Sequence, residues 1–228
     1  MEITRLKSQQ PLSPYAASWD AAIGFAQWDQ EDKIDTIRQF LLSKEEEILK
    51  LPYQGQGRTG LDENAVTTRY GRYHIFDFAK ECPELNDLQD WIRGMWAEFI
   101  IADNTQPYEV QFTCWYNILR KGEKIDIHRH QAGDRGYLSA NLHLDNYKNS
   151  KTVYEHMEMA MSLPNVKGGL TYFPGYVEHY VPVWEGDEPR VSLAMDLYIW
   201  MPPYYGVQDH LEHRKFIDSA YLQKIFSG

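Results

Sequence analysis

Residues 169–200, GLTYFPGYVEHYVPVWEGDEPRVSLAMDLYIW, are the stretch that decides the fold. Short β-prone runs separated by Pro, Gly and Asp predict two β-strands joined by a turn, with His179 on the first and Arg190 and Ser192 on the second. Alternation along the second strand puts apolar side chains on one face and polar or small ones on the other, namely Arg190, Ser192, Ala194 and Asp196. A polar sheet face that carries Arg indicates the lining of a polar cavity. The alternative is a surface hairpin with a solvated Arg.

The composition excludes several classes of protein. With 228 residues, 43% of them hydrophobic, the chain can bury a full core in one domain. Its net charge of −10 offers no basic surface to a phosphate backbone, so we expect no nucleic-acid partner. No apolar run approaches the roughly 20 residues that cross a bilayer, and no signal peptide is visible, so we expect no membrane partner. Cys82 and Cys114 are too few for a disulfide scaffold, which favours reduced thiols in a soluble, cytoplasmic protein.

Changes in local composition divide the chain into three parts of a single domain covering residues 1–228. Residues 1–106 predict an N-terminal support region that contains helices. Residues 107–203 consist of short β-prone runs separated by Gly, Asp and Asn, and residues 204–228 end in a helical tail. The pattern predicts a mainly β fold, a sandwich or barrel with flanking helices packed outside it.

Within the support region, apolar spacing predicts two helices, over residues 30–51 and 83–103. The first 28 residues contain Pro11 and Pro14 and are expected to be irregular. Residues 66–78, VTTRYGRYHIFDF, are β-branched and aromatic, and they predict a strand.

Three histidines form a candidate metal site. On a β-strand, His128 and His130 would project from the same face, with Arg129 on the other, so two imidazoles could share one ion. His179 lies on a predicted strand that could be a sheet neighbour. Three imidazoles suit Fe, Zn, Cu or Ni and leave coordination positions for substrate or water. An exposed pair of strand histidines is the alternative interpretation of this motif.

Arg190 and Ser192 form a candidate anion site. An Arg fork with a hydroxyl two residues later on the same face can bind a carboxylate, because Arg donates two parallel charge-assisted hydrogen bonds and Ser a third. A metal opposite such an anchor implies a small acid that reaches from one to the other.

These motifs resemble the signature of the Fe(II)- and 2-oxoglutarate-dependent oxygenases. The residues that carry the resemblance are His179-x10-Arg190-x-Ser192 together with CWYNILRKGEKIDIHRH and GYLSANLHL, and they cover roughly residues 108–200. The resemblance implies a double-stranded β-helix, which is a jelly-roll, cupin-like fold. It also implies that His128 and His179 bind iron, that Arg190 anchors the distal carboxylate of 2-oxoglutarate, and that Ser192 assists.

The implied reaction uses Fe(II), 2-oxoglutarate and O2, and it hydroxylates an unactivated C–H bond with release of succinate and CO2. The substrate would be a small molecule, an amino acid or a peptide, and nothing in the sequence indicates an oligomeric state. Asn117, Tyr137 and Asn141 are candidates for binding the second carboxylate of 2-oxoglutarate or the substrate.

The chain departs from the family at the second metal ligand. The family has Asp or Glu two residues after the first His, whereas this chain has His130. Either His130 completes a catalytic set of three histidines with His128 and His179, which we favour, or Asp134 supplies the missing carboxylate.

Two other functions fit the same residues. One is a cupin-type metalloenzyme, a dioxygenase or isomerase that does not use 2-oxoglutarate. In this case Asp134 would be a ligand, because the spacing from Gly122 through His128 to Asp134 resembles a cupin motif. The other is a non-catalytic jelly-roll binding module that has lost its metal.

Overall fold

Two antiparallel β-sheets form the body of the protein. The computed structural model describes residues 1–130, 136–147, 149–157, 159–200 and 214–226. The larger sheet has the strand order β1-β2-β8-β5-β10-β3-β11, and the smaller sheet has the order β4-β9-β6-β7. The strands are β1 (Glu2–Lys7), β2 (Asp20–Gln27), β3 (Val110–Leu119), β4 (Ile125–His128), β5 (Gly136–His143), β6 (Lys151–His156), β7 (Met159–Pro164), β8 (Gly169–Pro174), β9 (Glu178–Val181), β10 (Arg190–Ile199) and β11 (Arg214–Ile217).

From β3 to β10 the chain passes back and forth between the sheets. Strands β3, β5, β8 and β10 lie in the larger sheet, and β4, β6, β7 and β9 lie in the smaller one. This alternation is the double-stranded β-helix that the sequence motifs predicted. Strand β10 lies between β3 and β5, which pair with it over most of its length, so its polar side chains lie near the middle of the larger sheet.

The predicted hairpin in residues 169–200 is wrong. The stretch forms three strands, and β9 belongs to the smaller sheet, where it pairs with β4 and β6. Its neighbours in sequence, β8 and β10, lie in the larger sheet, on either side of β5. Local β-propensity identified the strands, but it cannot report which sheet each one joins.

The helices follow the predicted periodicity with one exception. Residues 30–51 form α1 (Glu31–Ser43) and α2 (Glu45–Leu49), and α3 (Glu84–Ala102) follows Pro83. The predicted strand at 66–78 is wrong, because the segment contains two 3-10 helices, Val66–Arg69 and Ile75–Lys80.

Burial explains the wrong strand prediction. All four residues of the helix Val66–Arg69 are buried, so their β-branched composition reflects the core and not an extended backbone. The Arg69 guanidinium donates hydrogen bonds to the carbonyl oxygens of Leu49, Leu51 and Glu63, which ties this compact segment to the end of α2.

The two ends of the described chain add strands to the edges of the larger sheet. Strands β1 and β2 pair at one edge, where irregular structure was expected, and β11 pairs with β3 at the other. A closing helix, α4 (Ser219–Phe226), follows β11 as predicted. No helix in these described ranges is both long and apolar enough to cross a membrane. Cys82 and Cys114 are both free and buried.

Helix α3 covers the outer face of the larger sheet. The ring of the fully buried Tyr172 of β8 lies 5.8 Å from that of Phe99 of α3 in a tilted arrangement, and its hydroxyl donates a hydrogen bond of 3.0 Å to the carbonyl oxygen of Ile92. This contact fixes the helix on the sheet with one buried polar bond inside an apolar layer.

Replacement of Tyr172 by Phe should therefore lower the free energy of unfolding by about 1 kcal/mol, because it removes one buried hydrogen bond and little volume. Urea denaturation measures this change, and Tyr15→Phe is the matched control because Tyr15 is 97% exposed. Equal midpoints for Tyr172→Phe and the wild type would contradict the role given to this bond.

Candidate metal centre

The pairing of β4 with β9 brings the three predicted histidines together. His128 and His179 are directly opposite each other in the register of the two strands, and their ring centroids are 4.4 Å apart. His130 is the second residue after the end of β4, and its ring stacks on His179 with a centroid distance of 4.9 Å. One nitrogen from each of the three side chains lies within 4.8 Å of the other two.

Oxygen acceptors fix which nitrogen of each ring faces the centre. The Nδ1 of His128 lies 2.8 Å from the carbonyl oxygen of Asp126, and the Nδ1 of His179 lies 3.3 Å from that of Val177. A carbonyl oxygen only accepts, so these Nδ1 atoms carry the protons and the Nε2 atoms keep lone pairs. Histidines that bind metals are commonly oriented by such a bond on the opposite nitrogen.

The spacing of two Nε2 atoms matches a shared ion. His130 Nε2 and His179 Nε2 are 3.2 Å apart, and either a proton or a cation must lie between their lone pairs. Two nitrogens bound to one ion at about 2.0–2.1 Å are separated by roughly 2.9–3.4 Å when the angle between them is between a right angle and tetrahedral. The observed distance falls in this range.

Burial keeps two of the rings neutral. It lowers the pKa of His128 to about 4, and the neighbouring His130 contributes to the same shift. Burial also holds the pKa of His179 well below its usual value, with further contributions from His128 and His130. The neutral imidazole is the form that binds a metal ion, so both rings are ready to bind at neutral pH.

A half-buried carboxylate, that of Asp196, lies behind His130. The Nδ1 of His130 donates to Asp196 Oδ1 at 2.6 Å. Ser139 donates to the same oxygen at 2.9 Å, and the Tyr198 hydroxyl donates to Oδ2 at 3.2 Å. Burial alone would raise the pKa of Asp196, but His130 and these hydrogen bonds outweigh it and lower the pKa. Asp196 is therefore an ionised group that fixes the orientation of His130.

A narrow inner cavity extends from the three histidines to Arg190. Its volume is about 30 Å³. Seven of the candidate metal and cofactor residues predicted from the sequence line it, namely His128, His130, His179, Asn117, Asn141, Arg190 and Ser192. Asn117 accepts a hydrogen bond of 2.6 Å from Thr67, and Asn141 donates one of 3.3 Å to the Tyr154 hydroxyl.

Arg190 is a buried cation that forms no ion pair of its own with a residue that the structure describes, although the nearby charge of Asp145 stabilises it. It is 2% exposed, its Nε donates to Ser150 at 2.9 Å, and its Nη1 has no hydrogen-bond partner in the part of the chain that the structure describes. The nearby carboxylate of Asp145 already accepts from Arg38 and from the backbone of Val191. Burial lowers the pKa of Arg190 to about 10, so the guanidinium is still charged at neutral pH. Such a group requires an anion.

A wider outer cavity of about 460 Å³ opens on the other side of the histidines. It shares five lining residues with the inner cavity, namely Thr59, Thr67, Trp115, His128 and His130. The two cavities therefore meet at the candidate metal position, one facing the buried Arg190 and the other facing the surface.

Some sequence predictions fall outside this site. Tyr137 does not line either cavity. Asp134 lies outside the described residues. Arg129 was expected on the face opposite the histidines, but β4 ends at His128, so the alternation stops there and Arg129 lines the outer cavity with them.

Other site residues were not predicted from the sequence. His143, Trp115 and Thr67 line the inner cavity, and Asp196 orients His130. The alternation of β5 could have identified His143, because it lies two residues after Asn141 and faces the same side. Thr67 could not be identified as a site residue from the sequence, because its segment, residues 66–78, was predicted to be a strand.

No known family profile matches the sequence, and no curated protein sequence matches it. Solved structures do match the fold. A prolyl-4-hydroxylase from Pseudomonas putida is 15% identical, with a TM-score of 0.52 over 78% of this chain and 94% of that protein. The alpha-ketoglutarate-dependent epimerase SnoN of nogalamycin biosynthesis is 11% identical, with a TM-score of 0.51 over 83% and 85% of the two chains. The carbocyclase SnoK of the same biosynthesis is 13% identical, with a TM-score of 0.50 over 77% and 80%.

These likenesses show the fold. SnoN and SnoK are named as dependent on alpha-ketoglutarate, which is 2-oxoglutarate. The resemblance inferred from the sequence motifs is therefore confirmed at the level of the double-stranded β-helix that these enzymes share. At identities of 15% or less, the role of each residue depends on the geometry of this chain.

The metal centre predicts that His179→Ala abolishes tight binding of one equivalent of Fe(II), because two remaining imidazoles no longer enclose the ion. Equilibrium dialysis under anaerobic conditions with metal analysis measures the bound iron. His156→Ala is the matched control, since His156 contacts Trp19 and lines neither cavity. A His179→Ala protein that retains one tightly bound equivalent would contradict the site.

Proposed function

We propose that this protein is an Fe(II)- and 2-oxoglutarate-dependent oxygenase that hydroxylates a C–H bond of a small molecule, amino acid or peptide. One observation carries the proposal. Three convergent histidine nitrogens line the same cavity as a buried Arg190, whose Nη1 has no hydrogen-bond partner among the described residues. A metal ligand that also carries a distant carboxylate would satisfy both, and 2-oxoglutarate is such a molecule. The fold shared with SnoN and SnoK supports this choice.

In this proposal, His128, His130 and His179 hold Fe(II) through their Nε2 atoms. Imidazole is a suitable ligand for iron as well as for zinc and copper, so the ligand type alone does not select the metal. Iron follows from the likeness to the 2-oxoglutarate-dependent enzymes. When bound, iron with 2-oxoglutarate and O2 supplies the oxidation of the C–H bond, with succinate and CO2 as products.

Arg190 would donate two charge-assisted hydrogen bonds to the distal carboxylate, and Ser192, which lines the same cavity, would donate a third. Asn117 and Asn141, which line the same cavity, would bind the oxygens nearer the iron. Trp115 lines both cavities and would limit the access of water to the metal position. The whole chain, residues 1–228, would form one cytoplasmic oxygenase domain, with residues 107–203 as its catalytic core.

One observation favours the alternative of a cupin-type metalloenzyme. An inner cavity of about 30 Å³ is close to the volume that one water molecule occupies in the liquid, and 2-oxoglutarate is several times larger. Binding of 2-oxoglutarate thus requires the side chains lining the cavity to move apart. An enzyme that keeps only water between the metal and Arg190 would not need this movement.

The two functions are separated by anaerobic addition of 2-oxoglutarate to the Fe(II)-loaded protein. The proposal predicts a visible charge-transfer band between iron and the bound 2-oxoglutarate. Bound iron without the band would favour the cupin-type enzyme. Failure to bind any metal would favour the non-catalytic binding module.

Arg190→Ala should weaken 2-oxoglutarate binding by about 100-fold, because two charge-assisted hydrogen bonds are lost, and should leave the iron content unchanged. Titration of the charge-transfer band measures the affinity. The affinity of Arg190→Lys for 2-oxoglutarate should lie between those of the wild type and of Arg190→Ala, because Lys keeps the charge but not the planar fork of donors. Arg72→Ala is the control, since Arg72 is exposed. Unchanged affinity in Arg190→Ala would show that Arg190 is not the anchor.

We further propose that Asp196 is the positioning residue for His130. Loss of such an orienting carboxylate typically lowers metal affinity 10- to 100-fold, and we expect about this effect for Asp196→Asn. Because the charge behind a ligand also changes, the charge-transfer band should shift in wavelength. A merely structural role would change thermal stability without moving the band.

The matched control is Asp187→Asn, since Asp187 is an exposed carboxylate paired with Lys121 outside both cavities. Asp196→Asn with wild-type iron affinity and an unshifted band would contradict the role of Asp196.

A further inference from the structure

The outer cavity carries positive charge on a protein that is strongly acidic. Arg58 and Arg129 both line it, although the net charge of the chain is −10. Asp196 is the acidic residue among the described lining, and it is already paired with His130. Both guanidinium groups are exposed, and neither forms an ion pair with any residue that the structure describes. The mouth of the metal centre therefore presents two cations that no described residue pairs.

The backbone at Arg58 supports a binding role. Arg58 has a φ of +62°, in the left-handed region that residues with side chains adopt infrequently. Its neighbour Gly57 has a similar φ of +56°, which a glycine adopts without strain. An Arg at such a position is strained, and strained residues are frequent at ligand clamps. The backbone therefore places a guanidinium group at the cavity in a conformation that a glycine would adopt without strain.

Aromatic side chains form part of the wall of the outer cavity. Tyr70, Trp115 and Tyr198 line the outer cavity, and the rings of Tyr70 and Trp115 lie 5.7 Å apart in a tilted arrangement. The ring of Trp115 also lies 5.9 Å from that of His130. Flat apolar surface therefore extends from the candidate metal position towards the two arginines.

We infer that the outer cavity binds a carboxylic acid with a flat, apolar body, and that this acid is the substrate of the proposed oxygenase. The carboxylate is held by Arg58 and Arg129, since the planar guanidinium matches a carboxylate with two parallel hydrogen bonds. The body lies along Trp115 and Tyr70, which places its far end beside the three histidines. A volume of about 460 Å³ is within the range of small-molecule sites. The identification of the acid as substrate rests on the proposed function, but its binding does not.

The experiment compares 3-phenylpropanoate with 3-phenylpropanamide, which has nearly the same shape and no charge. Calorimetric titrations use the Fe(II)-loaded protein under anaerobic conditions, with and without saturating 2-oxoglutarate. We expect the acid to bind about tenfold more tightly than the amide, because a charge-assisted bond to Arg is lost in the amide. Arg58→Gln and Arg129→Gln should each weaken binding of the acid by about fivefold to tenfold and leave binding of the amide unchanged.

Two variants control for charge and for position. Lys151→Gln removes an exposed cation outside both cavities and should have no effect. Arg190→Gln removes the cation of the inner cavity and, in the titrations without 2-oxoglutarate, should not weaken binding of the acid.

Three results would overturn the inference. The first is equal affinity for the acid and the amide, and the second is no detectable binding of the acid. The third is loss of acid binding in Arg190→Gln while the Arg58 and Arg129 variants still bind the acid. Failure of 2-oxoglutarate itself to bind would contradict the proposed function. The titrations without 2-oxoglutarate would still decide whether the outer cavity selects acids.

Discussion

The pairing of β4 with β9 is the interaction on which the site depends. It places His128 opposite His179 across two antiparallel strands, and the end of β4 then turns His130 towards the same point. Because β9 lies in the smaller sheet and β10 in the larger one, the same pairing sets Arg190 across the cavity from the histidines. The loop between β9 and β10 spans this distance. The positions of the metal and of the anion thus depend on the tertiary fold and not on a single segment of the chain.

The electrostatics of the site differ from those of a metal centre with a carboxylate ligand. A divalent ion bound by three neutral imidazoles would keep its full positive charge, because none of these ligands is anionic. Asp196 supplies a negative charge behind His130, from which it accepts a hydrogen bond of 2.6 Å. It stays ionised because Ser139 and Tyr198 also donate hydrogen bonds to it. Arg190 adds a buried cation at the far end of the cavity. The interior therefore favours an anion between two positive centres, which is the charge pattern that 2-oxoglutarate fits.

Much of the fold and the set of candidate ligands could be predicted from local patterns. Alternation placed Arg190, Ser192 and Asp196 on one face, and the spacing of apolar residues predicted α1 and α3. Interactions between distant residues could not be predicted. The carboxylate of Asp196 contacts His130 through tertiary pairing alone, and nothing in the sequence shows that Asp145 is already engaged by Arg38, which leaves Arg190 without an anion. The segment 66–78 was misread because burial and extended backbone select the same β-branched residues.

The central claim is that the Nε2 atoms of His128, His130 and His179 bind one iron ion. A crystal structure of the Fe(II)-loaded protein, with anomalous diffraction measured at the iron absorption edge, tests it directly. The account predicts a single anomalous peak bonded to all three Nε2 atoms, with the hydrogen bond from His130 Nδ1 to Asp196 intact. An iron ion bonded to His128, His179 and a carboxylate, with His130 turned away, would contradict it.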